Sequence, residues 1–217
     1  MGDLAEGFAQ AARLLASGDA ELYGTIGRTL LISGVAALLA MLAGVPLGYA
    51  VARTRFPGRT AVLSAINTGM GMPPVVVGLV IWLLLARSGP FGRWELIYTK
   101  QAMVIAQFVI ATPLVVGVTA AAIQALPPEL PDLLATLGAG RLRRLWLVSR
   151  EARLGLLAAV MAGFGAIVSE VGASMTVGGN LQGDTRVLTT AIALGLLLLA
   201  LSLAVNVVLT VVQQRRD

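Results

Sequence analysis

The sequence predicts an all-α, polytopic membrane protein of about five transmembrane helices, and three observations predict it. Of 217 residues, 57% are hydrophobic and 12% are charged, about half the charged share of an ordinary soluble domain. The charges are clustered, so that 29–52, 61–86, 101–128 and 187–214 hold no Asp, Glu, Lys or Arg. Each of these runs exceeds the roughly 20 apolar residues that a helix needs to cross a bilayer. Most of the sixteen basic residues lie in short segments between the apolar runs, where they read as orientation signals at a membrane surface rather than as a nucleic-acid footprint.

The elements follow in order, and the whole chain, 1–217, reads as one membrane domain. Residues 1–28 carry Asp3, Glu6, Arg13, Asp19 and Glu21, with Leu4, Phe8, Ala11, Ala12 and Leu15 at helical spacing. A short amphipathic helix lying on the surface fits this segment. It lacks the basic start, apolar block and small-residue site of a cleaved signal peptide. The first span is Thr29 to Ala52, closed by the basic knot Arg53-Thr-Arg55-Phe-Pro-Gly-Arg59. A second span, about 61–86, is interrupted by Gly69-Met-Gly71-Met-Pro73-Pro74, where consecutive prolines remove backbone donors. A third runs from about Gln101 to Leu126 and contains Pro113. The fourth, Leu154 to Ser169, stops at Glu170, and the fifth runs from about Leu188 to Val212 before Arg215 and Arg216.

The acid-free knot at 53–59 places that end in the cytoplasm. The N-terminus is then outside, loop 127–153 inside, loop 170–187 outside and the C-terminus inside. Arg53, Arg55, Arg59, Arg141, Arg143, Arg144, Arg150, Arg153, Arg215 and Arg216 fall inside; Arg13, Arg28, Arg87, Arg93, Lys100 and Arg186 fall outside. That bias of ten to six supports this orientation of the chain.

Histidine and cysteine are both absent, which removes imidazole and thiol catalysis, disulfides, zinc fingers and haem ligation. Lys100, the sole lysine, follows Tyr98 and Thr99 rather than a glycine loop, so the chain has no P-loop for ATP. No resident cofactor or metal is expected, and the chain does not read as an enzyme. Ser169 and Glu170 are neighbours that project in different directions on a helix, a poor nucleophile and base.

The most informative stretch is the cytoplasmic segment 128–144. Prolines precede it, Glu129 and Asp132 open it, Gly138 and Gly140 close it, and Arg141, Arg143 and Arg144 follow, which are the start, dipole and stop signals of one short helix. Leu130, Leu133, Leu134 and Leu137 recur at i, i+3, i+4 and i+7, a leucine stripe on a connector too short to build its own core. Two partners fit the stripe: a groove on another protein, or the spans of this chain.

Asp132-Leu-Leu-x-x-x-Gly138 with its basic cluster resembles the Glu-Ala-Ala-x-x-x-Gly loop of the permease subunits of binding-protein-dependent ABC importers. Asp stands for Glu, leucines stand for both alanines, and Glu151 occupies the place of an expected proline. The resemblance extends to Arg55-Phe-Pro-Gly-Arg59, Pro73-Pro-Val-Val-Val-Gly78, Thr136-Leu-Gly-Ala-Gly140 and Ser169-Glu-Val-Gly-Ala173. Together these cover most of 25–212 and are similar to the molybdate/tungstate group. Glu151-Ala-Arg153, the run from Ser169 to Asn180, and Thr185-Arg-Val-Leu-Thr-Thr190 resemble its tungstate-specific branch.

The resemblance implies a type I permease fold and a protomer that imports an oxyanion, most like tungstate, with molybdate or sulfate as alternatives. It implies that 128–144 is a coupling helix, with Leu130, Asp132, Leu133, Leu134, Leu137, Gly138 and Arg141 at the ATPase contact. The expected partners are two copies of an ABC ATPase subunit that carries ATP-Mg, an extracytoplasmic oxyanion-binding protein, a second permease copy and the lipid bilayer.

Other residues are candidates for the translocation path or its gate. Gly71, Pro73 and Pro74 break the second span, as a hinge or as a static kink. Gly178, Gly179 and Asn180 supply backbone donors near the outer end, though a plain turn also fits them. Ser169 and Glu170 end the fourth span, and an acid at membrane depth faces a protein interior or a wet cavity. A carboxylate repels an oxyanion, so Glu170 is read as a structural or gating acid, paired with Arg186 across the loop. An ion-coupled secondary transporter using Glu170 is the competing reading. Gly44-x-x-x-Gly48 permits close helix contact, and Trp82, Trp94, Trp146 and Tyr98 near the span ends read as interfacial anchors.

Overall fold

The structure, a computed structural model, describes residues 20–54, 56–170, 172–181 and 183–186 and the scattered positions 199–200, 203–204, 207 and 210–211. The expected surface helix before residue 20 and most of the fifth span, 188–212, lie outside the described residues. Among the described residues there are eight α-helices and no strand: α1 (Ala20–Arg53), α2 (Arg59–Gly71), α3 (Pro74–Leu85), α4 (Lys100–Gln124), α5 (Leu130–Thr136), α6 (Arg141–Glu151), α7 (Arg153–Ser169) and α8 (Gly172–Gly178). A single 3-10 turn spans Gly92–Trp94.

Helices α1 and α4 are each long and apolar enough to cross a membrane. Their packing rests on small residues. Ala36 and Ala40 of α1, Ala111 and Val115 of α4 and Ile167 of α7 form one buried cluster. A Cβ on Gly44 would lie 2.8 Å from Val115 Cγ1, and one on Gly163 would lie 2.7 Å from Val115 Cγ2, so α1 and α7 grip the same valine from two sides. At Gly48 the nearest atom, Thr119 Cβ, is at 2.7 Å. The 44–48 glycine pair therefore serves contact between helices of one chain, at the spacing small residues provide.

Three sequence expectations are corrected. Residues 20–28 belong to the 34-residue helix Ala20–Arg53 rather than to a separate surface helix. The charges on its added turns are partnered: Arg28 donates to Thr25 Oγ1 at 2.9 Å and to Gly183 O at 3.2 Å. The second span is two helices, α2 and α3, meeting at 106°. Pro73 at the cap and Pro74 at the first helical position start a new helix rather than kink an old one, the place where a missing N–H costs nothing. The loop 127–153 holds a second helix, α6, which meets α7 at 79°.

The bend lays α2 across α4, where a Cβ on Gly69 would meet Pro113 Cγ at 2.7 Å and one on Gly117 would meet Met70 Sδ at 2.9 Å. Val77, Ile81 and Leu85 of α3 pack with Ala102 and Ala106 of α4 and Val177 of α8. The opposite faces are apolar and bare, with Leu31, Leu38, Leu42, Leu47, Val75, Leu79 and Leu83 each more than half or nearly half exposed. Such bands suit a hydrocarbon solvent or a second protein surface.

Candidate functional site

The segment expected to couple, 128–144, has a short helix fixed at both ends by local chemistry. Pro131 sits in the first turn of α5, where its absent N–H is not needed. At the other end Gly138 N donates to Ala135 O and Ala139 N to Leu134 O, each at 3.0 Å. These are the two bonds of a Schellman motif, and the left-handed residue it requires is Gly138, at φ 77. The glycine of the motif is thus a backbone requirement for ending α5 and turning into α6.

The structure packs half of the leucine stripe on the chain's own helices and leaves the other half bare. Leu130 and Leu134 pack on the buried cluster of Ile123, Val148 and Ala152, beside Tyr49, Ala52, Leu126 and Leu156. Leu133 is 58% exposed and Leu137 81%. Leu142 and Trp146, on the first turns of α6, are exposed as well, so the apolar ridge continues past the turn. Asp132 is exposed in the first turn of α5. Arg141 opens α6; its side chain is outside the described residues. Arginines lock the neighbouring helix end: Arg53 donates to Ile123 O at 3.1 Å and Arg59 Nε to Val51 O at 2.9 Å. Behind α5 lies a cavity of about 590 Å3 lined by Tyr49, Arg53, Thr54, Pro128, Pro131, Asp132 and Arg144.

At the other pole, two motifs far apart in sequence meet. A Cβ on Gly78 would lie 2.6 Å from Ala173 Cα, and one on Gly172 would lie 2.6 Å from Val75 Cγ2. The Pro73–Gly78 and Ser169–Ala173 motifs are therefore one contact, between the first turns of α3 and α8. Glu170 breaks the helix in extended backbone, and its Oε1 accepts from Ala173 N–H at 2.7 Å. It is half-buried. Ser169 is the last residue of α7, with its side chain outside the described residues.

The expected Glu170–Arg186 pair is corrected. The two lie at opposite ends of α8, and the acid beside Arg186 is Glu21, at 3.6 Å. Asp184 pairs with Lys100 at 3.1 Å. The loop after α8 is thereby tied to the starts of α1 and α4. Gly178 is buried on Met103, Gly179 at φ 70 lies against the Tyr98 ring, and Asn180 holds φ 51 with a buried Oδ1 that has no hydrogen-bond partner. Thr185 Oγ1 accepts from Leu181 N–H and donates to Gly178 O. This is a built turn. Gly71, Met72 and Pro73 are exposed at the opposite end of the α3–α8 contact. The candidate path residues thus fall into two groups, 71–74 with 169–170 and 178–180 with 186, rather than one.

Two residues escaped sequence reasoning. Gln107 Nε2 donates to Ser174 Oγ at 3.1 Å, with both residues buried, and holds α8 on α4. A polar amide inside the charge-free run 101–128 was the available signal.

Residues 44–217 match the family described as the inner membrane component of binding-protein-dependent transport systems. The chain is 38% identical to the tungstate uptake system permease protein TupB of Peptoclostridium acidaminophilum, covering 97% of this chain and 98% of that one. It is 41% identical to a probable anion ABC transporter permease protein of Haloferax volcanii, covering 89% and 92%. The molybdenum transport system permease protein ModB of Escherichia coli K12 is more distant, at 28% over 75% of each chain. Among solved structures, a chain from inward-facing conformations of the MetNI methionine ABC transporter matches with a TM-score of 0.66 at 18% identity, covering 89% of this chain and 93% of that one. That likeness bears on the fold alone.

Proposed function

Starting from a chain that belongs to the family of inner membrane components of binding-protein-dependent transport systems, we propose that it is the permease subunit of an ATP-driven importer of tungstate. Its work is movement rather than chemistry. The observation that carries this reading is the division of the leucine stripe on α5. Leu130 and Leu134 fasten the helix to the ends of α1, α4, α6 and α7 through Ile123, Val148, Ala152 and Ala52. Leu133 and Leu137 stand out from it. A push on the outer edge of a seven-residue helix so fastened passes into the long helices, because packed interiors transmit strain.

The partner implied is an ATPase subunit with an apolar groove, the usual receptor for a helix edge of this kind. ATP-Mg belongs to that partner, and this chain holds no cofactor of its own. A protomer with one coupling helix suits an assembly of two permeases and two ATPases, with cargo brought by an extracytoplasmic binding protein. The chain is multi-pass: α1, α2–α3, α4 and α7 supply passages, and the charge-free run 187–214 is long enough for another. The tungstate assignment rests on likeness to the TupB proteins over nearly the whole chain.

The test is reconstitution with the cognate ATPase and binding protein, reading ATP turnover with tungstate, molybdate and sulfate. Stimulation by tungstate at the lowest concentration is expected. Equal stimulation by all three refutes the specific assignment, and cargo movement without nucleotide refutes the ATP-driven one.

A further inference from the structure

We infer that the cavity behind the coupling helix is a phosphate-binding pocket that ties α5 and α6 to the end of α1. It has a volume of about 590 Å3 and is walled by Arg53 and Thr54 at the end of α1, Arg144 of α6, Tyr49, and Pro128, Pro131 and Asp132 of the α5 approach. Two guanidinium groups on one cavity are the donor set for a phosphate, since the planar fork matches its oxygens two at a time. Both are only partly satisfied by protein. The Nε atoms of Arg53 and Arg144 are buried and have no hydrogen-bond partner. With those inner nitrogens shut off from the cavity, it is the outer nitrogens of each guanidinium that a phosphate would meet.

The arrangement is also oriented. Arg53 is anchored by its bond to Ile123 O at 3.1 Å, which holds the guanidinium at the wall. Asp132 is the one acid on the lining, and it is exposed. Two positive charges against one negative leave the cavity positive. A phosphate held by both arginines bridges α1 and α6 across the root of α5, the helix through which the push enters. Two sources present this chemistry: the headgroup of an anionic lipid, which lies at the depth where α1 meets its basic knot, and a free phosphate in the cytoplasm. The inference stands on the cavity alone and does not depend on the identity of the cargo.

The experiment uses the full chain in phosphatidylcholine nanodiscs. One arm titrates phosphatidylglycerol and counts retained lipid by native mass spectrometry; the other titrates inorganic phosphate in discs of phosphatidylcholine alone. Arg144→Gln is expected to weaken binding about tenfold, the loss of one charged hydrogen-bonding group. Arg144→Lys keeps part of it, and Arg143→Gln, an exposed arginine of the same helix outside the cavity lining, keeps all of it. Retention of phosphatidylglycerol alone assigns the pocket to a lipid headgroup, and binding of inorganic phosphate assigns it to a free anion. The inference fails if the wild-type chain retains neither probe, or if Arg143→Gln and Arg144→Gln lose binding equally at unchanged melting temperature, which marks a diffuse surface charge. Should Arg144→Gln not fold, the comparison of Arg144→Lys with Arg143→Lys decides in the same way.

Discussion

Glu170 shows what a single side chain does in this fold. A half-buried carboxylate beside a helix break resembles an ion site, yet its oxygen accepts from Ala173 N–H and sets the first turn of α8 against Gly78. Glu170→Ala is expected to lower stability by about 0.5–2 kcal/mol, the usual cost of a lost helix-start acceptor. Glu170→Gln keeps an acceptor oxygen and should retain both melting temperature and transport. Transport lost in Glu170→Gln at unchanged melting temperature would mean that the charge itself is used. The position of the break was legible in the sequence, because sixteen uncharged residues end abruptly at an acid. Its partner was not. A bond to a backbone N–H three residues on leaves no mark in composition, whereas Arg186 offered an obvious opposite charge that the chain spends on Glu21. At Gly78 the constraint is steric: the closest atom to an added Cβ is Ala173 Cα, which no side-chain change removes. Gly78→Ala should therefore destabilise by about 1–3 kcal/mol, and Ala173→Gly should not rescue it in thermal denaturation.

Elements were legible where charge pattern alone decides them and illegible where geometry does. The charge-free runs gave α1 and α4 their existence, and the proline, acid, leucine and glycine pattern gave α5 its ends. The same pattern could not say that Leu130 and Leu134 face inward while Leu133 and Leu137 face out, because an i, i+3, i+4, i+7 stripe is wide enough to straddle an edge. The consequence is a separable pair of double variants. Leu133→Glu with Leu137→Glu should abolish copurification of the ATPase while leaving the melting temperature near wild type. Leu130→Ala with Leu134→Ala should lower stability, since each removes half-buried packing from the Ile123 cluster. Loss of association in both pairs with no loss of stability in either would contradict the division. The double proline predicts an interruption within one span, and the structure turns the chain by 106° there. Consecutive prolines exclude a continuous helix but carry no information on the angle, which Gly69 and Pro113 settle by letting α2 lie across α4. Where two helices press on one side chain, the pressure is relievable: Gly163→Ala meets Val115 Cγ2, and Val115→Ala should recover part of the stability that Gly163→Ala loses, a coupling readable in a double-mutant cycle.

For the whole molecule, orientation follows from arginine placement and is open to direct test, because the chain contains no cysteine. Single cysteines are then clean reporters. Ser88 is exposed in the segment after α3, and Ala135 is exposed on α5; between them stand α4 and its charge-free run. If α4 crosses the bilayer with the coupling helix in the cytoplasm, an impermeant maleimide should label Ser88→Cys in intact cells and Ala135→Cys only after the membrane is opened. The reverse pattern inverts the orientation, and labelling of both from outside removes α4 as a passage. The two ends of α4 do different work. Its start is tied by Lys100 to Asp184 in the loop after α8, and its end supplies Ile123 to the cluster that holds Leu130 and Leu134. One continuous 25-residue helix thus joins the cluster under α5 to the loop after α8. Asp184→Lys should weaken that connection and Lys100→Asp in the same chain should restore it. ATP turnover stimulated by loaded binding protein is the readout. Equal stimulation in Asp184→Lys and wild type would show that the outer tie plays no part in transmission.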